Sequence, residues 1–263
     1  MLALYHENIS VCAQKVRLAL DEKAITWEGR YVDLMKQEHL TPEYLKLNPR
    51  GLVPTLLHDE TPICESTVIL EYIEDTFSEK PLRPASPNGR ATMRLWAKVP
   101  DDGLHIACAS VTYAAAFVHQ LRQHHDKREL EERLRKLPDR ARAARQRQIL
   151  EMEFEAPIVK DAVLLHDKVL REMETTLSRQ PWLAGEGFSL ADIALTPYIT
   201  RLDRLGLDGM WAERPNVGKW FAAIQARPSF DSAITAFAST AYDDELKKRG
   251  IDVWPQVKAL LAA

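Results

Sequence analysis

Two pairs of polar side chains lie beside predicted helix starts, where binding of an anion is favoured. Ser10 and Cys12 stand at the start of a predicted helix over residues 11–23, and Glu65 and Ser66 open another one. The unsatisfied amides of a helix N-terminus attract anions. A serine hydroxyl at that place can donate to an anion or simply cap the helix. A carboxylate such as that of Glu65 can pair with an ammonium group.

The cysteines and histidines exclude several common chemistries. No histidine–aspartate arrangement can be tied to Ser10, which disfavours a serine hydrolase. Cys12, Cys64 and Cys108 are an odd, scattered set without a C-x-x-C pair. We therefore expect no disulfide framework and no metal site, and the missing pair disfavours a glutaredoxin-type reductase, which stays an alternative.

The first eighty residues alternate strand and helix patterns. Apolar strands are predicted at residues 2–5, 26–33, 53–57 and 61–64, and helices at 11–23, after Thr41 and from Ser66. A β-α-β order with a short crossover predicts that the first two strands pair in parallel. The complete β-α-β-α-β-β-α order is that of a thioredoxin-like domain.

A proline-rich segment divides the chain. Three prolines and Asn88-Gly89 predict a linker over residues 81–90. The sequence thus predicts an α/β thioredoxin-like domain over residues 1–80 and an all-helical domain over residues 91–263. In the latter, residues 106–118 predict a buried helix. Residues 122–160 are strongly charged, which is typical of solvated helices, the alternative being a basic surface for an anionic partner.

A capping box is predicted at the start of a late helix. Ser189 should accept from the amide of Asp192, and the carboxylate of Asp192 should reach back to the amide of Ser189. Phe188 and Ile193 stand where a hydrophobic staple would form. We expect Asp192 to be a folding residue.

The composition is that of an ordinary globular protein. The chain has 263 residues, 46% of them hydrophobic, and a formal net charge of -3. This charge argues against a nucleic-acid partner. No apolar run approaches the length of a membrane span and no signal peptide is evident, so we expect a cytoplasmic protein without a membrane partner.

Five motifs in chain order resemble the cytosolic glutathione transferase family. They are residues 8–20, 48–56, 65–69 and 189–192, and, counted together as the fifth motif, the late tracts 214–217 and 226–230. The Ser10-Val11-Cys12 start is similar to that of bacterial tetrachlorohydroquinone reductive dehalogenases. The charged stretch resembles the enlarged helical domains of those enzymes and of bacterial β-aryl ether cleaving transferases.

The resemblance implies a homodimeric detoxification enzyme that uses glutathione as cosubstrate. Glu65 would pair with the glutathione ammonium, and Ser66 with its helix amides would hold the adjacent carboxylate. Val53 precedes a cis bond to Pro54, so its backbone would pair with the cysteinyl unit. His39 stands where some classes hold the glycine carboxylate, the alternative being an exposed loop histidine. Leu52 replaces the lysine or glutamine of many relatives.

Catalysis in this family needs a thiolate. A free thiol has a pKa of about 8.5, so little of it is ionised at neutral pH. Ser10, just before the first helix, is placed to donate a hydrogen bond to the sulfur. Tyr113 and Phe117 lie four residues apart on one helical face. They would line the pocket of a small hydrophobic electrophile or belong to the core.

Two other hypotheses remain open at this point. In the first, the chain is a specialised reductive dehalogenase or β-aryl ether lyase that uses Cys12. A mixed disulfide between Cys12 and glutathione should then form, as reductive dehalogenation would require. Cys12 shares the predicted buried face of its helix with Val16, Ala19 and Leu20, which favours an inert core cysteine instead. In the second, the chain is a non-catalytic relative, because the Trp211–Asn216 tract resembles the ganglioside-induced differentiation-associated proteins.

Overall fold

The computed structural model describes residues 1–262, which contain one four-stranded sheet and a series of helices. The strands are β1 (Leu2–His6), β2 (Glu28–Tyr31), β3 (Thr55–His58) and β4 (Thr61–Cys64), in the order β2-β1-β3-β4. β1 and β2 are parallel, whereas β1–β3 and β3–β4 are antiparallel. The thioredoxin-like arrangement expected of the N-terminal region is confirmed. β2 is shorter than the predicted strand over residues 26–33, and its four residues pair with Ala3 to His6 of β1.

The first helices alternate with the strands of this sheet along the chain, and the later helices follow one another without strands between them. Their bounds are α1 Val11–Glu22, α2 Pro42–Leu47, α3 Ser66–Thr76, α4 Pro87–Lys98, α5 His105–Thr112, α6 Val118–His124, α7 Lys127–Arg135, α8 Arg140–Met152, α9 Pro157–Leu177, α10 Leu190–Arg204, α11 Pro215–Gln225, α12 Pro228–Ala233 and α13 Thr240–Leu261. Two π-helical turns, Pro100–Leu104 and Tyr113–Phe117, flank α5.

A first compact unit contains the sheet together with two later segments of the chain. It comprises residues 1–99, 177–197 and 219–238. Hydrogen bonds between distant residues join these segments. Arg17 Nε donates to the carbonyl of Ala233 at 2.7 Å, and the Arg227 guanidinium binds both oxygens of Glu22 at 2.7 Å. The predicted division at residues 81–90 remains a proposal about independently folding domains.

Within the first unit, α1 and α3 are joined by a buried ion pair. Lys23 Nζ lies 2.7 Å from a carboxylate oxygen of Glu74, and both side chains are almost fully enclosed. The ammonium also donates to the carbonyls of Phe77 and Lys80, while Glu74 accepts from the amide of Leu82. Because the remaining donors and acceptors of the pair are satisfied, the ends of both helices are held in place.

The start of α10 carries the predicted capping interaction in altered form. The Asp192 carboxylate accepts from the amide of Ser189 at 3.0 Å, as expected. The Ser189 hydroxyl, however, accepts from the amide of Ala191, and the amide of Asp192 bonds to the carbonyl of Ser189. Phe188 packs edge-on against Trp182 and under the guanidinium of Arg227, 3.8 Å from its ring centroid.

The second unit is helical and contains the charged stretch. It comprises residues 100–176, 198–218 and the chain from Ser239 onward. Residues 122–160 form the end of α6, all of α7 and α8, and the start of α9. Leu130, Leu134, Leu137 and Ile149 are buried there, and most charged side chains lie at the surface. α13 packs closely against the backbone of Leu205, the residue that follows α10. A Cβ on Gly250 of α13 would lie 1.7 Å from the carbonyl oxygen of Leu205.

One helical stretch is long and apolar enough to cross a membrane, contrary to the expectation from the sequence. Residues 87–124 contain an 18-residue window that is apolar enough to cross a membrane, but 67% of that window is buried inside the protein. Such burial is typical of the core helix of a soluble protein. Its apolar composition is therefore explained by packing.

Candidate functional site

The register of the sheet brings three sequence-predicted segments to one edge. Tyr5 near the end of β1 lies opposite Thr55 at the start of β3, and Thr55 lies opposite Cys64 at the end of β4. Three connections therefore lie at the same edge of the sheet, where these strand ends meet. They are the segment from β1 to Ser10, the entry from Pro54 into β3, and the exit from β4 into Glu65. The sheet topology thus groups the residues expected to bind glutathione.

Ser10 caps α1 and keeps a hydroxyl donor available. Its Oγ accepts from the amide of Ala13 at 3.3 Å, and its side chain is half-buried. A hydroxyl that accepts one hydrogen bond can still donate its own proton. The cap and the thiolate hypothesis are thus compatible, because the cap uses a lone pair of the Ser10 oxygen and the bond to the thiolate would use its proton.

The loop before Ser10 is fixed by Arg17. Its guanidinium is fully buried and donates to the carbonyls of Glu7 at 3.3 Å and Asn8 at 2.8 Å, and to His6 Nδ1 at 3.3 Å. Burial, followed by the charge of Arg17, lowers the pKa of His6 to about 4. His6 is therefore neutral at physiological pH and can accept from the guanidinium. The loop that presents Ser10 is held by a permanent cation.

The start of α3 has the features of an anion site. No side chain caps its first amides, and Ser66 is buried at the first helical position. Glu65 adopts φ 68°, a left-handed conformation that costs free energy in a residue with a Cβ and is often found at functional sites. Its carboxylate is exposed and lies 2.5 Å from Arg50 Nη1. This turn presents one carboxylate beside free backbone donors.

The peptide bond between Val53 and Pro54 is cis, as expected from the family resemblance. The turn that leads into it is held by buried polar side chains. Tyr44 Oη donates to the carbonyl of Leu52 at 2.6 Å, and Asn48 Nδ2 donates to the same carbonyl at 2.9 Å. Both side chains also reach Thr55 Oγ1, at 3.0 and 3.2 Å. The backbone before β3 is consequently fixed in position.

His39 lies in a tight turn and is 4% exposed. A Cβ on Gly51, which has φ 57°, would lie 3.1 Å from the carbonyl oxygen of His39 and 2.8 Å from a methyl group of Leu40. The His39 turn therefore packs against the Asn48–Gly51 turn. The alternative of an exposed loop histidine does not fit this burial. Its contact with a glycine carboxylate stays a prediction.

Cys12 is less buried than its helical spacing predicted. Val16, Ala19 and Leu20 are fully buried, but Cys12 is only half-buried in the first turn of α1. The full burial expected for this side chain is therefore wrong.

Tyr113 and Phe117 lie in the second unit, in the π-helical turn between α5 and α6. Their rings meet edge-to-face with centroids 6.5 Å apart. Tyr113 is 8% exposed, and burial raises its pKa to about 12 against the opposing charges of Arg133, Arg142 and Arg122. π-turns are frequent at functional sites. The two rings do adjoin, as their spacing predicted.

Sequence reasoning gave no role to Arg17 and Arg50. Arg17 sits on the inward face of α1 beside Lys15, and both are fully buried. Two cations on the apolar face of a helix could have been recognised as unusual from sequence. Arg50 carries no comparable signal, because its pairing with Glu65 depends on the turn between them. No group of metal-binding side chains is found within residues 1–262.

Comparisons with known proteins show the family to which the chain belongs. Residues 4–81 match the glutathione S-transferase N-terminal domain and residues 115–228 the C-terminal domain. Protein LigF of Sphingobium sp. strain SYK-6 is 34% identical over 94% of this chain and 97% of its own. The tetrachloro-p-hydroquinone reductive dehalogenase of Sphingobium chlorophenolicum is 27% identical over 88% of this chain and 95% of its own.

Solved structures with a similar fold belong to related proteins. The β-etherase LigF from Sphingobium sp. strain SYK-6 superposes with a TM-score of 0.81 at 31% identity, covering 89% of this chain and 99% of that one. Glutathione transferase F7 from Populus trichocarpa gives a TM-score of 0.72 at 28% identity, covering 91% and 100%. With both family domains matched in order and the expected sheet edge formed, this chain belongs to the glutathione S-transferase family, as an enzyme with glutathione as its cosubstrate.

Proposed function

We propose that the enzyme lowers the thiol pKa of bound glutathione through Ser10 and directs the thiolate at a small aromatic electrophile. The observation that carries this proposal is the hydroxyl of Ser10, which caps α1 while its own proton stays available. A hydrogen bond donated to the sulfur and the positive end of α1 both favour the anion.

Glutathione is held in this proposal by the turn at the start of α3. The uncapped amides and the Ser66 hydroxyl receive the carboxylate of the γ-glutamyl end, and Glu65 receives its ammonium. Arg50 already pairs with one oxygen of Glu65, so the other oxygen is left for the ammonium. Val53 supplies backbone groups to the cysteinyl unit, and His39 lies near the glycine end.

An aryl ether is the electrophile that the similarity supports best. The chain matches the β-etherase LigF over almost the full length of both proteins. In such a reaction the thiolate forms a C–S bond at the carbon that carries the aryloxy group. The C–O bond breaks, and the phenolate leaves with the electron pair. No external oxidant or reductant is required.

Reductive dehalogenation is the second candidate, and the incomplete burial of the Cys12 side chain favours it. The thiol lies in the first turn of α1, where a helix N-terminus lowers a thiol pKa. In this reaction glutathione would first displace the halide and form an aryl thioether. The Cys12 thiolate would then attack the glutathione sulfur, which forms a mixed disulfide while the aryl carbon leaves with the electron pair and takes up a proton. A second glutathione would reduce the mixed disulfide, so that glutathione supplies both electrons. The similarity to the tetrachloro-p-hydroquinone reductive dehalogenase supports this candidate more weakly, at 27% identity.

The glutathione assignment is tested by Glu65→Gln, which keeps the size of the side chain and removes its charge. Loss of the ion pair with the ammonium should weaken glutathione binding by about 1–3 kcal/mol. Titration calorimetry measures the Kd, with Glu60→Gln on the exposed β3–β4 turn as the matched control. Equal affinity in both variants would refute the assignment.

The enzyme is also proposed to be a cytoplasmic homodimer that detoxifies small hydrophobic electrophiles, as is typical of this family. A dimer would have twice the 30.0 kDa mass of one chain. Light scattering at micromolar concentration measures this mass, and a value near that of one chain would reject the dimer.

A further inference from the structure

A buried guanidinium connects two segments of the first unit that are far apart in sequence. Arg17 Nε donates to the carbonyl of Ala233 at 2.7 Å, while Nη1 and Nη2 donate to the carbonyls of Glu7 at 3.3 Å and Asn8 at 2.8 Å. The side chain is fully buried. Because the donors of a guanidinium lie in one rigid plane, these bonds hold the loop before α1 at a fixed position relative to Ala233.

The carbonyl of Glu7 links this guanidinium to Ser10. The same oxygen accepts from Arg17 Nη1 and from the amide of Ser10, each at 3.3 Å. The Glu7 carboxylate also accepts from the amide of Ile9 at 2.9 Å. One carbonyl group therefore separates the guanidinium from the residue that is proposed to donate to the glutathione sulfur. If Arg17 is removed, the loop loses a donor that holds this carbonyl.

Phe237 fixes the guanidinium from one side. Arg17 Cζ lies 4.1 Å from the centroid of the Phe237 ring, a distance at which the ring attracts the cation. Trp27 stacks on Phe237 with centroids 6.4 Å apart, and His6 meets both rings edge-on. Arg17 Nη1 also lies 3.3 Å from His6 Nδ1. The position of the guanidinium thus depends on residues 233–237.

A second arginine joins α1 to the same late part of the chain, but at the other end of the helix. Arg227, which precedes α12, binds both oxygens of Glu22, the last residue of α1. α1 is therefore attached to α12 independently of Arg17. Burial of a guanidinium costs free energy, and an apolar side chain often joins two segments equally well. The donors that Arg17 directs at the loop carbonyls are what an apolar side chain cannot supply.

We propose that Arg17 is a positioning residue, which holds the Ser10 hydroxyl in place and makes its position depend on residues 233–237. A hydrogen bond weakens steeply when its distance and angle depart from their ideal values, so a small shift of the loop would reduce the donation to the thiolate. The inference rests on the proposed function, because it concerns the same hydroxyl. It adds a remote segment of the chain to the groups that determine how well bound glutathione is activated.

Titration of thiolate absorbance in the enzyme–glutathione complex measures the effect. Arg17→Met removes the donors and keeps a long side chain, and the thiol pKa should rise by about one unit because a hydrogen bond to the thiolate is lost. Arg227→Met is the matched control, which should lower Tm but leave the thiol pKa unchanged. Phe237→Leu keeps Arg17, removes the ring beside it and should raise the thiol pKa by less. This variant also supplies the test if Arg17→Met does not fold.

A double-mutant cycle determines whether Arg17 acts through Ser10. In the Ser10→Ala background, Arg17→Met should raise the thiol pKa no further, because the donor is already absent. An equal rise in both backgrounds would overturn the proposal. So would an unchanged pKa in Arg17→Met and Phe237→Leu when Ser10→Ala raises it, and in that case the proposed function stands.

Amide hydrogen exchange without glutathione tests the positioning separately from the activation of the thiol. The amides of Ile9 and Ser10 should exchange about tenfold faster in Arg17→Met than in wild type or Arg227→Met, because the loop opens more often. If the exchange rates follow this order while Ser10→Ala leaves the thiol pKa unchanged, the proposed function fails and the positioning of the loop stands. Equal exchange rates in the three proteins would overturn the positioning.

Discussion

The hydroxyl of Ser10 and the thiol of Cys12 lie within one helical turn and would support different reactions. Ser10 precedes α1, and its oxygen accepts from Ala13 while its proton is left to donate. Cys12 is half-buried, whereas the spacing of its helix face predicted full burial. The hydroxyl could be predicted from the sequence because capping is local. The exposure of the thiol could not, because it depends on which elements cover the helix end.

Replacing Cys12 by serine separates the two chemistries. If the thiolate of glutathione is the only sulfur nucleophile, Cys12→Ser should keep kcat/KM for an aryl ether or aryl chloride within about threefold, because a small side chain at a helix end contributes little. Steady-state kinetics and intact-protein mass spectrometry provide the readout. A glutathione-sized adduct on wild-type enzyme alone, with activity lost in the variant, would assign the reaction to Cys12.

Among the elements, the start of α10 carries a predicted capping motif that is formed only in part. The sequence indicates that Asp192 closes a capping box with Ser189, and one of its two hydrogen bonds is formed. The same carboxylate also accepts from the amide of Leu183 at 3.0 Å and from Trp220 Nε1 at 2.9 Å. These partners come from other chain segments, so local pattern could not reveal them.

This wider network makes Asp192 more important for stability than a cap alone. Its carboxylate is fully buried, and Asp192→Ala would leave several donors without an acceptor, at about 1–3 kcal/mol each. The free energy of unfolding should fall by more than about 3 kcal/mol, while activity per folded molecule is kept. Denaturant titration measures the loss, with exposed Asp231→Ala as control. A variant of normal stability with abolished turnover would show a catalytic role.

At the scale of the molecule, the sequence predicts the thioredoxin-like region and the helical region but not how the chain divides between units. Residues 177–197 and 219–238 pack with the first 99 residues. The bond from Arg17 to Ala233 spans 216 positions, beyond the reach of periodicity and caps. Each unit also buries a neutral histidine, His6 in the first and His166 in the second, both with a pKa lowered to about 4.

These histidines predict loss of stability in mild acid. In the unfolded chain these histidines bind protons below about pH 6.5, but in the folded chain they do so only near pH 4. Their contribution to the free energy of unfolding is therefore complete above pH 6.5 and is lost as the pH falls from 6.5 to 4. The slope is about 1.4 kcal/mol per pH unit for each histidine. His166→Leu should flatten the fall of Tm between pH 7 and 5, measured by calorimetry, and exposed His124→Leu should not. Parallel curves for wild type and His166→Leu would contradict this explanation.

The central claim is that Ser10 lowers the thiol pKa of bound glutathione, and titration of thiolate absorbance in the enzyme–glutathione complex tests it most directly. In wild-type enzyme and in Cys12→Ser the pKa should lie more than about one unit below the value of about 8.5 for a free thiol. In Ser10→Ala it should return towards that value, with glutathione still bound. An unchanged pKa in Ser10→Ala, or a rise in Cys12→Ser alone, would contradict the claim.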